Sequence, residues 1–286
     1  MTLFEPTPTG DGSHTFYSDL FGEWFHSREG AYDEARRTYA AATHLSALAQ
    51  ERCHIALLDV CYGLGYNTVA ALETIWAANP DCEVMVMGLE LDPQVPQAAI
   101  AQNLTKAWPG PIQTVLHALA EDGQVQGRCQ GKLWIGDARQ HIQTLVAQGW
   151  QGDRVFLDPF SPPRCPQLWT VEFLNLVAQC LKQDGILATY SCAAAVRTAL
   201  QLAGLHLGAI RAVGRKWPST IARWANQDLP PLSIQELEHL QTRAAVPYRD
   251  PNLQGSAEMI RERRSQEQAQ APLASTGAWR KRWLRP

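Results

Sequence analysis

Asp158 leaves an apolar run and enters FLDPFSPPRCPQLWT, residues 156–170, a loop carrying Pro159, Pro162, Pro163 and Pro166. Each proline fixes a backbone torsion and removes a donor, so the loop's shape is largely set before a substrate arrives. A carboxylate on such a loop can hold an ammonium group through charge-assisted hydrogen bonds, take or relay its proton, and aim the lone pair that is left. The competing reading makes Asp158 a turn former ahead of Pro159.

Three further clusters point to an adenosine-containing ligand. DVCYGLGYN, residues 59–67, follows an apolar run and opens a helical one. Gly63 and Gly65 allow a tight turn and close backbone approach to a ligand, with Asp59 and Asn67 as polar flanks. Asn67 and Thr68 stand where a third glycine of the dinucleotide fingerprint would be, which disfavours a pyrophosphate cofactor. Two glycines in a strand-to-helix turn can also be purely structural. Glu90 weighs against that: it ends the next apolar run in GLELD, with Asp92 behind it, where a carboxylate can accept both ribose hydroxyls of an adenosine. Its bland alternative is a solvated strand-end acid. In GDAR, residues 136–139, Asp137 suits the exocyclic amine of the base with Ala138 beside it, and it suits equally well the cap of the helix that follows; both roles can hold at once.

These residues sit at the ends of elements that alternate in type. Apolar, β-rich runs at 55–60, 84–91, 133–135, 155–157, 186–190, 205–213 and 220–224 alternate with helical periods at 68–78, 93–103, 140–148, 171–181 and 193–203. That order predicts a doubly wound α/β domain, a mostly parallel seven-stranded sheet of Rossmann-like type covered on both faces. Its expected span is residues 51–227. Residues 1–50 read as an N-terminal extension, turn-rich and then helical from 31 to 49, which can lid or extend the domain. From Asp228 onward nine Lys or Arg face seven Asp or Glu, broken by Pro230, Pro231, Pro247, Pro251 and Pro272, so residues 228–286 are expected to be a partly irregular tail draped over the surface.

Bulk properties narrow the class without choosing the substrate. The 286 residues and 45% hydrophobic content supply one large core, and a net charge of −3 excludes a polycation drawn to phosphate as a whole while allowing a local basic patch. The seven cysteines are scattered, with no pair and no histidine at zinc spacing, so a reducing cytoplasm and no metal are expected. No basic start with an apolar core opens the chain and no run reaches bilayer length, so neither export nor membrane insertion is expected.

Taken in order, TGDGSHTFYS, HSREGAYDEARRTY, DVCYGLGYN, LDPFSPPRCPQLWT, LATYSCAAAVRTALQLAGL, VGRK with Thr220, and VPYRDPNL resemble the MnmC-like family, the tRNA methyltransferases that finish 5-methylaminomethyl(-2-thio)uridine at the wobble position. Singly, only the DPFSP block and the block from TYS to VR are distinctive; their order and spacing make the match specific. The resemblance implies a class I methyltransferase fold, S-adenosyl-L-methionine as donor, and the 5-aminomethyl group of an anticodon uridine as acceptor. Asp158 matches the family's carboxylate beside that amine and Phe160 its neighbouring aromatic. Glu29 and Glu34 match positions near the donor and substrate entrance, with helix-surface acids as the usual alternative.

The family's long form fuses a flavin-dependent oxidase domain behind the methyltransferase, and this chain looks like the short form, with no FAD and no stable protein partner implied. A splayed anticodon base can stack on Phe160 or Tyr190. Arg197, Arg215 and Lys216, with Arg211, Arg223 and the stretch 279–285, are candidates for tRNA phosphates or simply solvated charges. Three other readings share parts of this pattern. A methyltransferase for a small amine or protein would not need basic residues at the mouth. A spermidine synthase type of aminopropyl transferase would show a glycine- and acid-rich first loop that this chain lacks. A binding module could keep the fold without catalysis.

Overall fold

The computed structural model describes residues 4–210 and 217–283. The chain opens with two small antiparallel hairpins, β1 (Thr7–Pro8) with β2 (His14–Thr15) and β3 (Tyr17–Ser18) with β4 (Glu23–Trp24). Helix α1 (Ala31–Glu34) runs into a wider π-helical stretch, Ala35–Ala41, before α2 (Leu45–Glu51). Phe16, Tyr39 and Leu45 from this segment are fully buried in the main core, so the N-terminal extension is part of the domain's packing.

Strands and helices then alternate: β5 (His54–Val60), α3 (Tyr66–Ala78), β6 (Glu83–Glu90), α4 (Gln94–Ala101), α5 (Gly110–Asp122), β7 (Gln124–Val125), β8 (Cys129–Ile135), α6 (Ala138–Ala147), β9 (Gly152–Leu157), α7 (Val171–Gln179), β10 (Leu181–Thr189), α8 (Ala194–Leu202), β11 (His206–Ile210) and β12 (Ser219–Arg223). The main sheet runs β11-β12-β10-β9-β5-β6-β8-β7. Its five central strands, β10 to β8, are parallel, while β12 and β11 at one edge and β7 at the other pair antiparallel. The expected seven strands are all there. The eighth, β7, is a two-residue edge strand too short to stand out in the sequence, and residues 211–213 of the expected last-but-one strand lie outside the described residues.

Alternate residues of the central strands feed two cores, as a sheet covered on both faces requires. Leu57, Val86 and Phe156 face α3, α5 and the N-terminal helices, whereas Leu58, Val155 and Leu157 face α6, α7 and α8. Helix α5 is an addition to the sequence reading. Gly110-Pro111 looks like a turn, yet proline is well suited to a first helical turn, and Ile112, Val115, Leu116 and Leu119 recur at helical spacing on its buried face.

The chain reverses winding direction between β5 and β9. It progresses outward from β5 through β6 and β8, then returns to β9 and β10 on the other side. Such a switch point leaves a crevice beyond the carboxyl ends of the two strands. Asp158 sits there, its backbone N–H donating to Val60 O at 3.1 Å.

The tail is more regular than its prolines and mixed charge predict. It forms α9 (Ile234–His239), α10 (Ala257–Gln270) and α11 (Thr276–Trp283). Ser233 and Glu236 make a reciprocal capping box at α9, and Ser256 caps α10. Ion pairs then spend the tail's charges on the domain: Arg249 meets Glu172 at 2.7 Å and Asp250 meets Arg139 at 3.0 Å. These charges are in this way partnered across long sequence separations.

Candidate active site

The loop after β5 is shaped by backbone that favours glycine. Gly63 and Gly65 have φ of 56° and 87°, and a Cβ on Gly65 would lie 2.8 Å from the Tyr62 hydroxyl. Cys61 shares the left-handed region at φ 68°, and its N–H and that of Tyr62 both donate to Leu89 O, at 2.9 and 3.0 Å. Glu90 completes the clamp: its carboxylate accepts from Gly63 N at 2.8 Å and Asp92 N at 3.0 Å. Burial pushes the Glu90 carboxyl up, while those backbone hydrogen bonds oppose the shift.

Asp59 lies beneath this loop, fully buried, and accepts from Thr68 Oγ1 at 2.8 Å. Burial raises its pKa to about 8 against the Thr68 hydrogen bond, with the charge of Asp158 adding to the rise, so the acid is mostly protonated at neutral pH. Asp137 caps α6 by accepting from Arg139 N at 2.9 Å. Burial works against its charge, but the Arg139 guanidinium, 2.7 Å away, holds the carboxyl below its ordinary value.

A cavity of about 380 Å³ opens between these groups and the Asp158 loop. Gly63, Glu90, Asp137 and Ala138 line one end, Asp158 and Phe160 the other, and Leu20, Phe21, Phe25 and His26 close over it from the N-terminal segment. Phe160 stacks on Phe21 at 4.4 Å between ring centroids and meets Phe25 edge-on at 4.9 Å. Ser161 N donates to Glu23 at 3.0 Å and Ser161 Oγ to the other Glu23 oxygen, tying the loop to that covering hairpin.

From behind, Asn67 Nδ2 donates to Asp158 at 3.0 Å. Tyr190 Oη donates to Pro159 O and Trp169 Nε1 to Phe160 O, both at 2.8 Å. The Tyr39 phenol is buried close by, and burial first, then the charges of Asp158 and Glu34, push it well above its ordinary range. The Asp158 carboxylate is therefore on a loop pinned at several points.

Six expected site residues share this cavity: Gly63, Glu90, Asp137, Ala138, Asp158 and Phe160. Asp59, Gly65 and Asn67 stand behind its wall and shape it. Tyr190 braces the loop outside the lining. Glu29 is exposed on the turn before α1, its N–H donating to Ser27 Oγ at 3.2 Å, and Glu34 is buried, accepting from Ser27 N at 3.3 Å.

Arg197 departs furthest from expectation. It is 2% exposed, donates from Nε to Thr220 Oγ1 at 3.0 Å and pairs with Glu236 at 2.7 Å, so it is not a surface cation awaiting phosphate. Arg215 and Lys216 lie outside the described residues. Sequence reasoning missed Phe21, Glu23 and Phe25. Their signal was the aromatic run FGEWFH, 21–26, set in a turn-rich segment with no helical or strand period of its own to bury it.

The lining fits an adenosyl sulfonium. Glu90 presents a buried carboxylate already oriented by backbone donors, and the glycine backbone allows close approach. Among the described residues, no group of three or more His, Cys, Asp or Glu is placed to hold a metal ion.

Comparison with known proteins agrees with that geometry. Residues 96–224 match the model of a family described as S-adenosyl-L-methionine-dependent methyltransferase. The fold superposes on the crystal structure of MNMC2 from Aquifex aeolicus with a TM-score of 0.82 and 31% identity, over 94% of this chain and 86% of that one. Uncharacterized protein MJ0670 of Methanocaldococcus jannaschii is 30% identical over 90% of this chain and 70% of its own length. The tRNA 5-methylaminomethyl-2-thiouridine biosynthesis bifunctional protein MnmC of an Azoarcus species is 30% identical over 68% of this chain, but over only 31% of its own length. The chain thus spans about a third of the length of the bifunctional relatives it matches.

Proposed function

The chain belongs to the MnmC-like family of S-adenosyl-L-methionine-dependent methyltransferases, and from that premise we propose that it N-methylates the 5-aminomethyl group of a (2-thio)uridine at the wobble position of tRNA, giving 5-methylaminomethyl(-2-thio)uridine. The observation that carries the reading is the Asp158 carboxylate, fixed on a pinned loop across one cavity from Glu90. Relatives named for tRNA 5-methylaminomethyl-2-thiouridine biosynthesis support the choice of substrate.

The chemistry sets what the residues must do. When bound, S-adenosyl-L-methionine supplies a methyl group on a sulfonium, open to in-line displacement by a neutral nitrogen. An alkylamine is mostly protonated at neutral pH, so the site must capture an ammonium and remove one proton. Asp158 does both. It accepts charge-assisted hydrogen bonds from the ammonium, takes one N–H proton, and leaves the lone pair aimed at the donor end. Glu90 and Asp137 would hold the donor, whose sulfonium would supply the methyl to that nitrogen and be left as a neutral thioether.

Asn67, Pro159 and the Tyr190 and Trp169 hydrogen bonds hold that carboxylate in place, and such positioning is worth roughly 7 to 11 kcal/mol in well-oriented reactions. Glu90 receives the ribose hydroxyls, and Asp137 with Ala138 the edge of the base. Phe160, Phe21 and Phe25 give the extruded uridine an apolar face and exclude water around the amine. With tRNA as partner the site of action is the cytoplasm. Among the described residues no helix is long and apolar enough to cross a membrane.

The test is to incubate the purified chain with labelled S-adenosyl-L-methionine and tRNA from a strain blocked at 5-aminomethyl uridine, then digest the RNA and identify nucleosides by mass. Label in 5-methylaminomethyl uridine is the expected result. Donor binding with no labelled tRNA would sink the wobble-uridine reading and turn attention to small amines.

A further inference from the structure

A second pocket, of about 210 Å³, lies between the tail and the same edge of the sheet. Cys192 and Ala193, after β10, form one side with Trp217 and Pro218, before β12; α9 and α11 supply His239, Trp279 and Arg280. Because β12 runs antiparallel to β10, with Thr189 opposite Thr220, both chain segments reach the edge that carries Asp158. Tyr190, which is bonded to Pro159 O, is two residues from Cys192, a chain distance of about 7 Å.

The lining has a specific chemistry. His239 and Trp279 stack at 4.0 Å and 15°, and Trp217 lies 6.5 Å from Trp279 at a tilt of 37°. Trp279 Nε1 donates to Gln235 O at 2.9 Å, which fixes its ring plane. Burial, with the charges of Arg197 and Arg280, lowers the His239 pKa, so this ring is an uncharged stacking surface at neutral pH. Arg280 supplies a cation at the exposed rim. Deeper in, Arg197 is committed to Thr220 and Glu236, yet its Nη2 is buried with no hydrogen-bond acceptor among the described residues. An unpaired buried donor is costly and asks for an acceptor.

The occupant that fits is flat, aromatic, equipped with a hydrogen-bond acceptor on its edge, and anionic at its outer end. We infer that this pocket holds a single-stranded RNA nucleotide next to the one being methylated, with its base against Trp217 and Trp279, an acceptor on its edge facing Arg197 Nη2, and its phosphate at Arg280. The inference rests on the tRNA reading above for its choice of ligand. Stacking on aromatic side chains tolerates any base, so the pocket grips the loop without choosing its sequence.

The experiment titrates a fluorescein-labelled anticodon stem-loop RNA into the full chain and reads anisotropy at several salt concentrations. Trp217→Ala is expected to weaken binding about tenfold, with Trp217→Phe retaining most of it. Arg280→Gln is expected to reduce the slope of log K against log salt by about 0.7, one single-strand phosphate contact. Unchanged affinity in Trp217→Ala overturns the pocket, as does equal weakening in Trp217→Phe accompanied by a fall in Tm. Binding that depends on Trp217 in a chain that leaves 5-aminomethyl uridine unlabelled keeps the pocket and removes the wobble-amine reading. Methylation of the stem-loop with the same KM in wild type and Trp217→Ala does the reverse, and no RNA binding by the wild type overturns both.

Discussion

The two ends of the main cavity are built by different means. At the donor end, Glu90 closes a parallel strand and Gly63 and Asp137 each follow one by a few residues, and each is fixed by hydrogen bonds to backbone groups of its own loop or of the neighbouring one. At the acceptor end, the wall is assembled from distant pieces: Phe160 and Ser161 follow β9, while Phe21, Glu23 and Phe25 come from a hairpin 138 residues earlier. On the proposed reading, donor recognition is a property of the sheet, whereas acceptor recognition depends also on the covering hairpin. Substitutions at the two ends should separate accordingly.

The largest separation is expected at Asp158. In Asp158→Ala the donor end keeps its clamp, so S-adenosyl-L-methionine affinity by calorimetry should change little while kcat falls about 10² to 10⁴-fold, the usual reach of general base catalysis. Loss of donor affinity equal to the loss of rate would mean that the two ends are one structural unit. At the opposite end, Glu90→Ala removes the carboxylate that accepts from Gly63 and Asp92, and donor affinity should fall by about 1.5 to 3 kcal/mol, roughly 10 to 150-fold. RNA affinity should hold, and its collapse would break the comparison.

How much of this was legible follows the same division. The strand ends that carry Gly63, Glu90, Asp137 and Asp158 announce themselves because a buried parallel strand is a short apolar run and the polar residue that ends it has few places to be but the crevice. The covering hairpins could not be read that way. β3 and β4 are two residues each, too short for a period, and the loop residues that their hairpin meets, Phe160 and Ser161, lie over a hundred residues away. Arg197 shows the converse. Its charge suggested a surface contact, yet Thr220 and Glu236 bury it, and nothing local in AAAVRTAL signals those partners. The tail's helices were hidden by prolines, although the Ser233 and Glu236 spacing of a capping box was present in the sequence.

Asp59 sharpens the comparison by pH. Its folded pKa of about 8 stands above the ordinary 3.8, so the native state binds more protons than the unfolded chain between those values. Stability from this group is therefore greatest below about pH 4 and declines as pH rises toward 8, by up to about 1.4 kcal/mol per pH unit. In Asp59→Asn, which keeps an acceptor for Thr68, chemical denaturation across pH 5 to 8 should show a shallower decline than the wild type. Equal slopes would mean that Asp59 is ionised in the folded loop.

The smallest effect is expected where the hairpin meets the loop. Glu23→Gln keeps an oxygen for Ser161 N but removes the charge from both hydrogen bonds, a loss of about 1 kcal/mol. If the hairpin only shapes the acceptor wall, KM for the RNA should rise about fivefold, with donor affinity, Tm and kcat at saturating RNA near wild type. An equal fall in kcat would instead give Glu23 a part in holding Asp158, since the Ser161 tether lies three residues from it. The ratio of the two effects measures how far the composite wall reaches into the chemistry that the sheet positions.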